Sequence, residues 1–196
     1  MQNEIENLIS IFSRLPSIGK RSATRIALHL LQKDKDLLIQ FSTVFKEMAE
    51  AIKKCSECGN IDIVNPCNIC ADAKREPGIL CVVENIEDLW AINQKNIYRG
   101  KYHVLGGVLS AMHGCGPDDL NLNSLVNRIE REEVTELILA TNANMDGQTT
   151  AFYITDMLKD KNVKITKLAN GIPLGSELEF LDEGTLNAAF SSRFKL

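Results

Sequence analysis

The sequence predicts a mixed α/β protein in which a helical N-terminal region and a cysteine-rich finger precede a small parallel sheet with helices on its faces. Three observations lead to this fold class. Apolar residues recur at helical spacing over the first 54 residues, and four cysteines form two CxxC pairs within residues 55 to 70. From residue 79 onwards, apolar runs of strand length alternate with helical segments.

The composition is that of an ordinary globular chain. Its 196 residues are 44% apolar and carry a formal net charge of −4, and no stretch approaches the roughly 18 uninterrupted apolar residues that a membrane-spanning helix requires. The first residues include Glu4 and Glu6 and lack the basic start and continuous apolar run of a signal peptide. We therefore expect a cytoplasmic protein of one domain with appendages or two small domains.

The first 54 residues read as helices around a short hairpin. Within LPSIGKRSATRIALHLL, residues 15 to 31, Pro16 and Gly19 interrupt the apolar pattern, and the next helix is expected to begin near Ser22. The flanking segments carry apolar stripes at helical spacing that we interpret as core faces: Ile5, Leu8, Ile9 and Phe12, then Leu37, Phe41, Val44, Phe45, Met48 and Ile52.

Three basic side chains, Lys20, Arg21 and Arg25, stand where the second helix begins. Backbone N–H groups at a helix N-terminus accept a phosphate, and two arginines one turn apart can flank a nucleic-acid backbone. Residues 1 to 54 hold nine Lys or Arg and six acids, so this region is positive in a negative chain. The hairpin favours DNA contact over the alternative, a solvated helix face. Such contacts carry no base code, so binding should be sequence-indifferent and salt-sensitive.

The stretch CSECGNIDIVNPCNIC has the spacing of a metal site. In a reducing cytoplasm, paired cysteines at this spacing are expected to be thiolate ligands rather than a redox dithiol or an accidental pattern. Gly59 can supply the positive φ of a tight knuckle. One structural Zn²⁺ with no open position is expected, and its binding would supply the folding free energy of this short segment. The predicted ligands are Cys55, Cys58, Cys67 and Cys70.

The remainder reads as an α/β domain. Residues 79 to 84, 135 to 142 and 163 to 169 are predicted strands, and the segments IEDLWAINQ and TTAFYITDMLKD are predicted helices. Alternation of this kind predicts a small parallel sheet. Cys81 and Trp90 are expected in its core, and Cys115 as a small loop residue. The glycines of GGVLSAMHGCG are interpreted as turns, since the segment lacks the residues of a nucleotide-binding loop.

Ligands of parallel sheets bind at the carboxyl ends of the strands, where this chain places Glu84 and then Asn142, Asn144 and Asp146. A metal-dependent nuclease or primase would need a Glu followed by closely spaced carboxylates to hold Mg²⁺. Amides stand at two of those positions. The sequence therefore favours a non-enzymatic protein, with a hydrolase or primase-like enzyme as the alternative.

These motifs together resemble the bacterial recombination mediator family RecR. The resemblance covers nearly the whole chain, through LPSIGKRSA, the four-cysteine finger, LCVVEN, YHVLGGVLSAMHGCGPDDL, ATNANMDGQTTA and GIPLGSELEFLDEGTL. It implies a helix-hairpin-helix region over residues 1–54, a zinc finger over 55–78, a Toprim domain over 79–170 and a C-terminal oligomerisation segment over 171–196.

The resemblance also implies a function. RecR proteins assemble as rings or clamps on DNA, so we expect a homo-oligomer, a dimer or a tetrameric ring with the tetramer favoured, that is associated with the nucleoid. The expected DNA is single-stranded, double-stranded or gapped. In the RecFOR pathway such proteins act with RecO and RecF and help to load RecA onto strands coated by single-strand-binding protein. A scaffold that contacts RecO but never DNA is a further alternative.

Residue by residue, the resemblance assigns DNA contacts to Arg21 and Arg25, with Lys20 at a place that is often Pro. It assigns the zinc ligands to the four cysteines already named, and an acidic RecO-contacting edge to Glu84, Asn144 and Asp146. The family's loop commonly reads Asn-Pro-Thr-Val-Glu-Gly-Glu, whereas this chain has NANMDGQ, with less charge and shorter reach. We interpret the zinc site as a rigid joint that fixes the hairpin against the Toprim domain.

Overall fold

The computed structural model describes residues 2–193, the side chain of Gln2 excepted, so Met1 and residues 194–196 of the predicted end regions lie outside the described residues. The chain forms two compact units that divide between Ile52 and Lys53. Among the described residues, no helix combines the length and the hydrophobicity that crossing a membrane would require.

The first unit consists of three helices: α1 (Gln2–Ser13), α2 (Lys20–Lys33) and α3 (Lys35–Ala51). Helix α2 begins two residues earlier than expected, because the extended backbone of Gly19 serves as its N-cap. It buries Ala23, Ala27 and Leu30. The Asp34 carboxylate accepts a hydrogen bond of 3.0 Å from the Leu37 N–H and so starts α3 without a loop.

The apolar stripe of α3 is not the core face that its spacing predicts. No residue of this helix is buried, and Phe45 is 64% exposed. Three short helices have too little interior to bury an apolar stripe on each of them. Large apolar side chains of the stripe therefore remain exposed: Val44, Phe45, Met48 and Ile52.

The second unit begins with the finger. Strands β1 (Lys53–Lys54) and β2 (Ile61–Asp62) pair antiparallel, and a single helical turn, α4 (Asn68–Ala71), follows. These elements are too short to bury a core of their own. Three of their cysteines form the buried cluster instead.

The Toprim-type domain follows, with helices between parallel strands. Its elements are β3 (Ile79–Val83), α5 (Ile86–Gln94), β4 (Lys101–Val104), α6 (Leu122–Arg131), β5 (Glu136–Ala140), α7 (Met145–Met157) and β6 (Lys164–Lys167). The four strands form a parallel sheet in the order β4-β3-β5-β6. The parallel sheet, the three predicted strands and both predicted helices are confirmed, whereas β4 and α6 were not predicted.

The sheet separates two cores because alternate residues of β3 point to opposite faces. Leu80 and Val82 belong to the larger core, and Cys81 and Val83 belong to the smaller one. Cys81 is thus a buried strand residue, as predicted, and burial raises the pKa of its thiol to about 12. Cys115 lies half-buried in the loop after β4.

The chain after β6 carries a short 3₁₀ turn (Leu178–Phe180) and α8 (Glu183–Ser191), which Asp182 caps by accepting a 2.9 Å hydrogen bond from the Thr185 N–H. No residue between 171 and 193 is buried. The segment nevertheless contains large exposed apolar side chains: Ile172, Leu174, Leu178, Phe180 and Phe190.

Candidate metal centre and nucleic-acid interface

The four predicted ligand cysteines converge on one point. Their Sγ atoms all lie within 4.8 Å of one another, and the Sγ atoms of Cys58 and Cys67 are 3.6 Å apart. Cys55, Cys58 and Cys67 are buried, and Cys70 is half-buried. Four sulfurs at such separations can hold a metal ion, and tetrahedral four-sulfur sites are typical of zinc or iron.

The first knuckle depends on Gly59, whose φ of +78° lies in the left-handed region. This turn lets the Gly59 N–H donate to the Cys55 carbonyl at 3.0 Å and the Asn60 N–H donate to the Cys58 Sγ at 3.4 Å. An added Cβ at Gly59 would also lie only 3.2 Å from the Val104 carbonyl oxygen. Glycine is therefore needed both for the turn and for the close approach of the finger to β4.

The second knuckle is held by side chains of the finger itself. The Cys67 N–H donates to the Cys55 Sγ at 3.3 Å. The Asp62 carboxylate accepts from the Asn68 N–H at 2.9 Å, which lowers the pKa of Asp62. Thiol hydrogen bonds from Cys58 and then Cys70 also lower the pKa of Cys67. The same network of thiols raises the pKa of Cys58, so the support for thiolate charge comes from the two backbone N–H groups that donate to the sulfurs of Cys55 and Cys58.

Arg128 of α6 connects this cluster to the sheet and was not predicted. It is 1% exposed, and its Nη1 donates to the Tyr102 carbonyl at 2.6 Å and to the Glu57 carbonyl at 3.1 Å. Its Nη2 lies 3.8 Å from the Cys70 Sγ. Its Nε donates to the Glu132 carboxylate at 2.9 Å. One buried guanidinium therefore contacts the finger, a cysteine of the cluster, β4 and the C-terminal end of its own helix.

The carboxylate of Glu132 balances that charge. Burial raises its pKa, but the hydrogen bond and charge of Arg128, together with Lys101, hold the pKa below its usual value. Arg131, the residue directly before Glu132, has a side chain that is 58% exposed and forms a surface ion pair with Glu57. Arg128 is thus buried and Arg131 exposed, although both contact Glu57 and Glu132.

The carboxyl end of the sheet is built around Glu84, which is only 3% exposed. Its two carboxylate oxygens accept from the backbone N–H and the side-chain amide of Asn142, each at 2.6 Å. An added Cβ at Gly147 would lie 2.3 Å from the Asn142 carbonyl oxygen and 2.8 Å from Glu84 Oε1. Glu84, one of the three residues assigned to a RecO-contacting edge, therefore holds the loop after β5 from inside and does not present its charge at the surface.

The other two residues assigned to that edge are more accessible. Asn144 is exposed and caps α7, its Oδ1 accepting from the Gly147 N–H at 2.8 Å, and Asp146 is half-buried in the first turn. Within residues 2–193, the cysteine cluster is the only set of three or more metal-ligating side chains with mutually close ligand atoms.

In the first unit, the predicted basic side chains Lys20, Arg21 and Arg25 are all exposed and lie within the first two turns of α2. None of them forms an ion pair within residues 2–193. Helix α2 has no acid in its first turn and no side-chain cap. Basic residues at the positive end of a helix dipole make this end strongly attractive to a phosphate.

Trp90 is not the core residue that was expected. It is 44% exposed on α5, and its indole Nε1 donates to the Asn60 Oδ1 at 3.0 Å. Asn60 is itself buried beside the cysteines. His103 on β4 is buried. Burial lowers its pKa to about 4, and its Nε2 lies 2.9 Å from the Asn121 carbonyl.

The chain is similar over nearly its whole length to proteins called recombination protein RecR. It is 50% identical to that of Bradyrhizobium sp. strain BTAi1 over 97% of this chain and 96% of the relative. The identity is 49% for Anaplasma phagocytophilum strain HZ, over 97% and 98%, and 52% for Maricaulis maris strain MCS10, over 97% and 94%. The chain belongs to the RecR family.

Family models agree with this membership. The RecR helix-hairpin-helix model matches residues 5–51, the Toprim domain model matches residues 78–169, and the RecR C-terminal model matches residues 171–193. RecR membership places the chain in recombinational DNA repair. The four-cysteine cluster and the basic start of α2 are therefore features of a RecR protein.

Some determinants of the site carried a signal in the sequence that was missed. Arg128 lies between Leu125 and Ile129 on the apolar face of α6 and one turn before Glu132, a pattern typical of a buried, paired arginine. The close approach of Gly147 to Glu84 and the hydrogen bond from Trp90 to Asn60 carry no such signal, because each joins segments distant in sequence.

Proposed function

We propose that this chain is a non-enzymatic DNA-binding recombination mediator that forms a ring or clamp at gapped DNA. It acts with RecO and RecF to help load RecA onto strands coated by single-strand-binding protein. The observation that carries the proposal is the match to RecR proteins over 97% of the chain. In this proposal, DNA binding belongs to residues 1–54, the metal to 55–78, partner contact to 79–170 and assembly to 171–196.

The metal in this proposal is one structural Zn²⁺ held by Cys55, Cys58, Cys67 and Cys70. Four thiolates from two knuckles satisfy its tetrahedral preference and leave no position for a substrate, so the ion supplies folding free energy rather than chemistry. The backbone N–H bonds to the sulfurs of Cys55 and Cys58 fit thiolate charge. The buried guanidinium of Arg128 offsets the net negative charge of a zinc tetrathiolate.

DNA contact is proposed for Lys20, Arg21 and Arg25. Their exposure, their lack of acidic partners in the described chain and their place at a helix N-terminus support phosphate binding. Three cations per chain give weak binding alone. Repetition around a ring multiplies it through effective concentration.

Self-assembly is supported by two apolar surfaces, one on each unit. The α3 stripe of Val44, Phe45, Met48 and Ile52 and the C-terminal residues Leu174, Phe180 and Phe190 are exposed in the single chain. Exposed apolar groups of this size mark protein interfaces. Two distinct surfaces permit a closed ring, and the tetramer is the proposed form.

RecO contact is proposed for the start of α7, where Asn144 and Asp146 are accessible beside Met145, which is 78% exposed. Glu84 supports this edge indirectly by holding Asn142. A hydrolase or primase-like enzyme is the second candidate. The amides at Asn142 and Asn144, and the engagement of both Glu84 oxygens, argue against a Mg²⁺ site there.

The test combines multi-angle light scattering of the full chain, with and without gapped DNA at low and moderate salt, with zinc quantification. A zinc-loaded oligomer that moves onto DNA in a salt-dependent way supports the proposal. A zinc-loaded monomer that ignores DNA supports the scaffold alternative, with RecO binding the DNA. Cleavage of labelled DNA in Mg²⁺ or Mn²⁺ would support the enzyme.

Variants localise the contact. Arg21→Ala/Arg25→Ala should weaken binding to all sequences and reduce the magnitude of its salt slope by roughly two for each subunit bound to DNA, since about one counterion is released per phosphate contact. Lys33→Ala/Lys35→Ala removes the same charge from the same unit, where α2 ends and α3 begins, and should change binding much less. Equal losses from both pairs would mean that the hairpin is not the contact.

A further inference from the structure

Trp90 lines a cleft between the finger and the Toprim-type domain, both parts of the second unit. The cleft has a volume of about 430 Å³, within the range of small-ligand sites. Its walls are Trp90, Ile61, Ile86 and Val104, with Lys54 and Asn121 among its polar groups. We call it the Trp90 cleft.

The indole ring is held in place by the finger. Its Nε1 donates to the Asn60 side chain at 3.0 Å, while the Asn60 carbonyl accepts from the Cys55 N–H at 2.6 Å and its N–H donates to the Cys58 Sγ. An exposed aromatic ring fixed in this way can stack on a ligand with little further loss of conformational entropy.

The charges around the cleft fit a phosphate at its rim rather than a simple anion inside it. Lys53 and Lys54 are exposed, and neither has an ion-pair partner in the described chain. Glu87 also lines the cleft, so its interior is not uniformly positive. A ligand with an uncharged planar group and a phosphate fits this arrangement, because the planar group can lie between the apolar walls while the phosphate lies beside a lysine.

A second hollow of about 240 Å³ shares Lys54, Gly59 and Asn121 with the Trp90 cleft. It is lined by His103, which is buried and whose Nδ1 has no hydrogen-bond partner within residues 2–193. Such a nitrogen is a free acceptor when Nε2–H donates to Asn121. The polar lining of the cleft therefore continues beyond Trp90.

We propose that the Trp90 cleft binds single-stranded DNA, with one base stacked on Trp90 and the adjoining phosphate beside Lys54. The inference rests on the proposed DNA-binding function and adds to it a strand-selective contact distinct from the basic hairpin. Bases of a duplex are already stacked on each other and do not reach such a cleft, whereas those of a single strand do. This contact would favour the single-stranded side of a gap.

Because the chain has a single tryptophan, Trp90 fluorescence reports on this cleft alone. The zinc-loaded full chain is titrated with oligo(dT) and with a duplex of equal length, each carrying a fluorescent label for anisotropy. Oligo(dT) should bind and quench Trp90, and the duplex should bind without quenching it. Binding of oligo(dT) with unchanged Trp90 fluorescence would refute the Trp90 cleft as a DNA-binding site and leave the proposed function intact. Absence of binding to either DNA would overturn both.

Two variants separate stacking from the structural role of the indole. Trp90→Phe and Trp90→Leu both lose the hydrogen bond to Asn60, and only Trp90→Leu loses the aromatic face. Oligo(dT) affinity should be about 5- to 150-fold weaker for Trp90→Leu than for Trp90→Phe, with equal duplex affinity. Comparison of two variants that bind the same amount of zinc removes any effect on folding. Equal oligo(dT) affinities would refute the proposal and favour a protein segment as the occupant.

Discussion

Replacing Arg128 with Met should release the finger from the sheet while keeping most of the side-chain volume. The guanidinium donates to two backbone carbonyls, of Glu57 in the finger and Tyr102 in β4, and to the carboxylate of Glu132. Met offers no donor to any of them. The variant therefore leaves buried acceptors and a partly buried carboxylate without their partner.

The expected loss of stability follows from the hydrogen bonds and the ion pair that the variant removes. Breaking a buried ion pair by removing one partner costs about 3–5 kcal/mol, and each buried carbonyl left unpaired costs about 1–3 kcal/mol within the same total. A domain is stable by only about 5–15 kcal/mol. With about 2–4 °C per kcal/mol for a chain of this size, the melting temperature of the second unit should fall by about 6–20 °C.

The assay is thermal unfolding of the zinc-loaded full chain by circular dichroism, together with the rate of zinc release to a chromogenic chelator. Zinc release should accelerate, because Cys70 loses its contact with the guanidinium and the Glu57 carbonyl loses its hydrogen bond to it. Arg131→Met is the matched control, since this exposed arginine lies on the same helix and contacts the same Glu132. Its surface ion pairs contribute about 1 kcal/mol or less.

Melting of Arg128→Met within the range of the Arg131→Met control, with unchanged zinc release, would refute this account of Arg128. Arg128→Lys should be intermediate, because it keeps the charge and loses the planar fork that reaches several acceptors at once. A lysine variant as stable as wild type would show that charge alone matters at this position.

Three further results are expected. The pKa of His103 falls to about 4 on folding, so between about pH 6.5 and pH 4 only the unfolded chain binds a proton at this side chain. The resulting stabilisation of about 3 kcal/mol is complete above pH 6.5 and should be lost as the pH falls towards 4. His103→Gln should flatten the pH dependence in denaturant titrations, and a variant with the same pH dependence as the unsubstituted protein would contradict this role of His103. Gly147→Ala should destabilise by about 1–3 kcal/mol through overlap with the Asn142 carbonyl, whereas Gly171→Ala, with nothing within 4 Å of the added carbon, should be close to neutral in thermal unfolding. Cys55→Ser should lose zinc and reduce the oligomer size by light scattering, and a variant that retained both would exclude the structural role of the site.

Strongly periodic segments could be predicted from the sequence. Strand β3 is a continuous apolar run, α5 is bounded as its sequence indicates, and the CxxC pairs bring four sulfurs together because each knuckle is a local turn. Strand β4 could not be predicted with the same ease. It has four residues, including a lysine and a histidine, and it is a strand because β3 supplies its hydrogen bonds.

The sequence by itself determined the family, the mixed α/β class, the four-cysteine cluster and the basic start of α2. These features rest on local patterns or on similarity along the whole chain. Only the tertiary structure decided that Glu84 is buried beneath Asn142, that Arg128 joins the finger to the sheet, and that Trp90 is exposed in a cleft. Whether a side chain is buried, and which groups it contacts, depend on which distant segments pack together. The residue type at one position does not specify that packing.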